Sequence, residues 1–276
     1  MKIGYISTVC FGIPREWVVK AQDKDIILTP SQFCKSAIVK SGVEEDKIKV
    51  VSPYVNFDHF APEKDKLKIR NAQGIRFLAI LDFSPFSNWE MLIESYFKAF
   101  RHKQNACLII YNDGAMPNEE AIRGIQKIKK RVNGNARIFF FPQKLSEELM
   151  PNLFSSCDCF IDVSRNAFGI KLLQAMACGI PVIGPKVGGN REFMHHNNSC
   201  LVSCVSKEKI TKRTLPNHMF QGLSWARLDP LDISAYLLGV YGNIDCEKDR
   251  AAQDLTELSS SFGYDNFVKS LSDAIG

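Results

Sequence analysis

"SRNAFGIKLLQAMACGIPVIGPKVGG", residues 164–189, decides the fold. A helix opens at Phe168-Gly169 and runs to Cys178. A compact apolar strand follows at 181–184, and then a Gly-Gly turn. A helix mouth offers unpaired N–H groups and about half a positive charge, which suits a phosphate. Gly169 allows close backbone approach. Lys171 lies in the first turn, where the dipole disfavours a cation. Either an anion such as phosphate partners it, or it is simply exposed. Asn166 and Gln174, eight residues apart, are amides where chemistry on sugars would use carboxylates. Taken as bare residues, they are polar groups at a helix entry and on a helix face.

Outward from this stretch, short apolar runs alternate with helical patterns. Strands are predicted at 76–82, 106–112, 136–141, 157–163, 181–184 and 200–203, with helices at 88–102, 117–132, 146–156 and 168–178. Apolar runs flanked by helices imply a parallel sheet covered on both faces, a Rossmann-like doubly wound α/β domain. In such sheets ligands bind beyond the carboxyl ends of the strands. The loops after Asp82, Pro142, Val163 and Gly184 therefore line the candidate site. Upstream, a strand at 2–6, a strand at 25–30, a helix at 29–42 and a strand at 47–53 form a smaller unit. Thr29 is read as that helix's N-cap, Pro30 as its first residue, Gln32 as the capping-box partner and Gly42 as its stop. Residues 54–74 read as an irregular connection, and two or three helices close the chain from 230 onward.

Composition excludes several classes. The 276 residues are 45% hydrophobic and 24% charged, as in globular proteins, with a mild net charge of +5. That charge suits an anionic ligand or an anionic membrane surface without demanding either. The basic run 127–134 closes a helix that begins with acids, as the dipole favours, and lacks the aromatic interleaving of a nucleic-acid surface. Nine scattered cysteines argue against a secreted disulfide framework and for a reducing, cytoplasmic setting. No apolar run spans a bilayer. His195-His196 reads as a solvated turn without a third metal ligand, so no metal is expected. The missing G-x-G-x-x-G after a first strand argues against a dinucleotide-dependent dehydrogenase.

"NAFGIKLLQAMACGIPVIGPKVGGNRE" resembles the signature of the retaining glycosyltransferases of the GT-B fold, family GT4. That signature is Glu, Gly-Phe-Gly, a second Glu eight residues after the first, Ala-Met-Ala-Cys-Gly-x-Pro-Val, a Gly-Gly turn and Glu. "WVVKAQDKDIILTPSQFCKSAIVKSGVEEDKIKVVSPYVNFDHFAP" is similar to the end of the family's first domain and its linker. "FLAILDFSPFSNWEMLIESYFKAF" and "ARIFFFPQKLSEELMPNLFSSCDCFIDVS" resemble its nucleotide domain, and "SSFGYDNFVKSLSDAI" resembles its closing helix.

The resemblance implies a GT-B nucleotide-sugar domain at 57–245, a remnant of the acceptor-side domain and linker at 1–56, and closing helices at 246–276. It implies sugar transfer from a UDP-, GDP- or ADP-linked donor to an unknown acceptor, with retention and without metal or further cofactor. The amides of Phe168, Gly169, Ile170 and Lys171 would receive the diphosphate. Gln174 would hold the ribose, Asn166 would face the donor sugar, Gly188 and Gly189 would border it, and Phe141 and Pro142 would flank the base. Glu192 would cap the short helix after the turn, with a sugar contact as the alternative. Both signature glutamates are amides here, and Ala167 replaces a glycine. The loop "LDFSPFSNWE" carries no basic residue where the family places an Arg and a Lys. Lys171 or Lys186 are the candidate substitutes. The acceptor domain's glycine-rich loop and histidine have no counterpart. The resemblance therefore implies either a working transferase or a non-catalytic pseudo-glycosyltransferase, a scaffold subunit or half of a two-chain enzyme with a partner chain supplying the acceptor domain.

Overall fold

The computed structural model describes residues 1–62, 65–69, 72–101, 105–141, 144–216 and 219–276. The first elements are β1 (Ile3–Tyr5), α1 (Arg15–Gln22), β2 (Ile26–Thr29), α2 (Gln32–Lys40) and β3 (Ile48–Val50). The series continues with β4 (Ile75–Leu81), α3 (Trp89–Ala99), β5 (Ala106–Asn112), α4 (Asn118–Val132), β6 (Arg137–Phe140), α5 (Met150–Ser155), β7 (Cys159–Ile161), α6 (Ile170–Ala177), β8 (Val182–Pro185) and β9 (Cys200–Val202). A hairpin of β10 (Cys204–Lys209) and β11 (Ser224–Leu228) precedes α7 (Pro230–Gly242), α8 (Ile244–Ala252), α9 (Leu255–Phe262) and α10 (Tyr264–Ile275).

The doubly wound sheet expected from the apolar runs is present. Six parallel strands lie in the order β6-β5-β4-β7-β8-β9. All seven residues of β5 are buried, as a strand covered on both faces requires. Alternation along β4 assigns each face its own core. Phe77, Ala79 and Leu81 pack with α3, α4 and α7, while Leu78 and Ile80 pack with α5, α6 and α9. A second parallel sheet, β1-β2-β3, has its own small core around Ile27, Ile38 and Ile48. The closing helix α10 returns to pack on β3, and Val55 N–H donates to Phe262 O at 2.9 Å.

Several boundaries differ from the sequence reading. Helix α2 is capped by Ser31, whose Oγ accepts from Cys34 N, and not by Thr29. Thr29 is still β2, and its hydroxyl donates to Ile6 O at 2.8 Å. The predicted helix at 146–156 begins as a 3-10 turn and becomes α5 only at Met150, with Pro151 in its first turn. Four helices close the chain, and the β10–β11 hairpin was not expected. The connection 54–74 carries no helix or strand among its described residues; 63, 64, 70 and 71 lie outside them. His102, placed at the end of a predicted helix, and Pro142 also lie outside the described residues.

Candidate functional site

Numbered from β4, the six strands run 3-2-1-4-5-6, so the winding reverses between β4 and β7. Ligand crevices form at that switch point because the flanking helices depart to opposite faces. A cavity of about 190 Å³ opens there, lined by Asp82, Asp162, Arg165, Asn166, Ile170 and Lys171 among others. Asp82 follows β4, Asp162 follows β7, and Ile170 and Lys171 begin α6.

Backbone constraints build the mouth of α6. Gly169 is its N-cap at φ +95° and makes no side-chain cap hydrogen bond to the first-turn amides. The Gly-Gly turn is packed against the same loop. A Cβ on Gly189 would lie 1.9 Å from Ala167 O, and one on Gly188 would lie 2.7 Å from Asn166 O. Gly188 also has φ +106°. Gly189 N–H donates to Asn166 O at 3.2 Å. The Phe168 side chain faces the core instead, against Phe193 and Phe262.

The polar groups are paired in ways the sequence did not announce. Asn166 Nδ2 donates to Asp162 Oδ2 at 3.1 Å, and Asp162 Oδ1 accepts from Ser164 N at 2.8 Å. A carboxylate only accepts, so it holds the amide nitrogen and turns Asn166 Oδ1 the other way. Asp162 is buried. The sequence reading missed it, and its signal was an acid ending a buried apolar strand. Lys171 does have an anionic partner, but that partner is Asp113 after β5, at 2.5 Å. Glu192 does not cap its own short helix. Its Oε1 accepts from Gln32 N at 2.7 Å, at the start of α2. Burial raises the Glu192 pKa, and this hydrogen bond opposes the rise.

Other candidates lie apart from the cavity. Gln174 is half-buried on the second turn of α6. Phe141 is half-buried and meets Tyr111 edge-on, with ring centroids 6.2 Å apart. Lys186 is exposed beyond β8. His195 pairs with Asp254 at 3.1 Å, and among the described residues no three His, Cys, Asp or Glu side chains group to hold a metal ion.

Arg165 is the second residue that the sequence reading missed. Its side chain is buried beneath the hairpin, with the guanidinium 3.8 Å from the Trp225 ring centroid. Burial draws its pKa down to about 10, partly opposed by Glu208. A small pocket of about 10 Å³ lies between Val9 and Phe33 of the first unit and Val187 and Gly188 of the second.

A family model described as "Glycosyl transferases group 1" matches residues 74–215. This stretch contains every strand of the large sheet and the whole cavity lining. The chain belongs to the group 1 glycosyltransferases. The N-acetyl-alpha-D-glucosaminyl L-malate synthase of Bacillus anthracis is 32% identical over 70% of this chain and 48% of its own length. The D-inositol 3-phosphate glycosyltransferase of Xylanimonas cellulosilytica is 25% identical over 65% of this chain and 44% of its own. The chain thus spans about half the length of the curated relatives it matches. Among solved structures, Anabaena HepE in complex with UDP and glucose superposes with a TM-score of 0.74, at 15% identity, over 98% of this chain and 70% of that one. This likeness establishes the GT-B fold.

The turn glycines and the α6 mouth are sterically specified. Asn166 and two acids, Asp82 and Asp162, line the cavity beside that mouth.

Proposed function

We propose that this chain binds a nucleotide-sugar donor at the α6 mouth and transfers its sugar with retention at the anomeric carbon. One observation carries the reading: a helix start without a side-chain cap opens into the switch-point cavity within the matched family segment. First-turn amides of α6, from Phe168 to Lys171, receive the diphosphate. Gln174 holds the ribose, Asn166 Oδ1 accepts from a donor-sugar hydroxyl, Gly188 and Gly189 border the sugar, and Phe141 flanks the base. The donor carries UDP, GDP or ADP, and no metal or further cofactor takes part. The acceptor binds across the cleft from a chain in the cytoplasm.

Exchange of carboxylate for amide weakens this site without abolishing it. A hydrogen bond to a charged group contributes about 1.5–3 kcal/mol, against about 0.5–1.5 for a neutral one. Gln174 therefore holds ribose roughly tenfold more weakly than a glutamate would. Calorimetric titration with UDP, GDP, ADP and their sugar conjugates tests the reading. Saturable binding to one nucleotide, lowered about two- to tenfold in Gln174→Ala, is the expected result. No heat at millimolar ligand would overturn it. Retention is read from the anomeric proton coupling of the product.

A second reading is favoured by the Lys171–Asp113 pair, which spends the mouth's lysine on a carboxylate. Here the chain is a non-catalytic member of the family that binds or scaffolds, with a second chain supplying the acceptor face. Nucleotide binding without turnover, together with co-purification of a Rossmann-like partner, would select it.

A further inference from the structure

Arg165 is the unspent cation of the cavity. Its side chain is only 8% exposed, with Glu208 Oε2 3.9 Å from one terminal nitrogen. The other terminal nitrogen donates to Pro85 O at 2.9 Å. Nε is buried and has no hydrogen-bond partner among the described residues. A buried charge is costly unless it is both paired and hydrogen-bonded, and Arg165 is only partly either. Its lowered pKa reports the same deficit.

The remaining charged groups of the cavity are occupied otherwise. Lys171 is paired with Asp113. Asp82 accepts from Ser84 N and Ser84 Oγ, both at 2.9 Å. Asp162 accepts from Ser164 N and Asn166 Nδ2. No carboxylate of the cavity lies within ion-pair distance of Arg165 among the described residues. The loop after β4 has no cation to offer. Arg165 stands five residues before Ile170, and both line the same cavity.

We propose that Arg165 receives the donor diphosphate together with the first-turn amides of α6, a role that rests on the nucleotide-sugar reading above. A guanidinium presents a planar fork that matches phosphate oxygens. The Trp225 ring fixes the plane of that fork, Pro85 O holds one corner, and the terminal nitrogen now facing Glu208 supplies the ligand contact. The long Glu208 contact is the one that a diphosphate displaces. Asp82 and Asp162 work against this anion, so the guanidinium is decisive for affinity.

The test is titration of wild type and Arg165→Gln with inorganic pyrophosphate, UDP, GDP, uridine and guanosine. Arg165→Gln should weaken the diphosphate probes at least tenfold and move the nucleosides less than twofold. It should also flatten the dependence of UDP or GDP binding on salt. A clamp that served only to hold the hairpin would weaken nucleosides and diphosphates alike. A second measurement needs no change at Arg165: pyrophosphate should alter the intrinsic fluorescence of wild type and leave that of Trp225→Phe unmoved. Unchanged diphosphate binding in Arg165→Gln, or no fluorescence response in a wild type that binds UDP or GDP, overturns the assignment and leaves the donor reading standing. Failure of wild type to bind any diphosphate removes both.

Discussion

At the scale of single residues, the site is governed by which polar atom faces which. Asp162 sits under Asn166 with its carboxylate 3.1 Å from the amide nitrogen. Restoring an acid at this position is therefore not a simple repair. Asn166→Asp would set a second, half-buried carboxylate against the buried Asp162, and such pairs share a proton because one pKa is driven up. The sign follows from that direction. A carboxyl with a raised pKa in the folded state contributes stability below its ordinary range and loses it as pH rises through the raised value. A rise of two units corresponds to about 2.7 kcal/mol. Urea unfolding of Asn166→Asp should show a loss of about 1.3 kcal/mol at pH 8 relative to pH 5, beyond the change in wild type, since about half of the full effect already falls below pH 5. The double variant with Asp162→Asn should recover it. Equal stability at both pH values in the single variant would show that the two side chains do not face each other.

At the scale of elements, α2 reaches into the site from the other sheet. Ser31 is fully buried, accepts from Cys34 N as the helix cap, and donates from Oγ to Ala167 O at 2.6 Å. Ser31→Ala removes a cap, worth about 1 kcal/mol, and leaves the half-buried Ala167 carbonyl with only the weak Cys34 Sγ donor, at about 1 kcal/mol more. Chemical denaturation should therefore show a loss of about 2 kcal/mol; a change below about 0.5 kcal/mol would mean that water serves both groups equally well. This cap also marks the limit of what the sequence discloses. Thr29 and Ser31 both suit an N-cap, and only the pairing of β2 with β3, where Thr29 stands opposite Val50, assigns Thr29 to a strand. The six-stranded sheet was legible because parallel strands buried on both faces read as unbroken apolar runs, as in Ala106–Asn112. The β10–β11 hairpin was not, because β10 is nearly all exposed and reads "CVSKEK", with no clean alternation. The helix mouth and its glycines were legible from local spacing. Asp113 on Lys171, Glu192 on α2 and Trp225 on Arg165 were not, since folding joins residues 58, 160 and 60 positions apart.

At the scale of the whole molecule, the two sheets depend on each other. The small sheet's own buried apolar cluster is six residues, Ile13, Ala21, Ile27, Ile38, Val43 and Ile48. Units this small bury too little apolar surface to be more than marginally stable alone. The hairpin supplies the missing burial. Trp225 joins Cys10, Ile210, Leu215 and Phe220 in one cluster, with Trp17 packed against it, and Phe11 N–H donates to Ser224 O at 2.9 Å. Wild type should thus unfold in one calorimetric transition, with calorimetric and van't Hoff enthalpies equal. Trp225→Ala removes about 3–5 kcal/mol of packing from the joint between the sheets, and not from the large sheet's core. The small sheet should then melt first, as a separate low-temperature transition, with the amides of Ile27 and Ile48 exchanging ahead of those of β5. Two transitions in wild type would show that each sheet stands alone. A single transition in Trp225→Ala, merely shifted downward, would mean that the contacts of Ser31 and Glu192 suffice to couple the sheets without the hairpin.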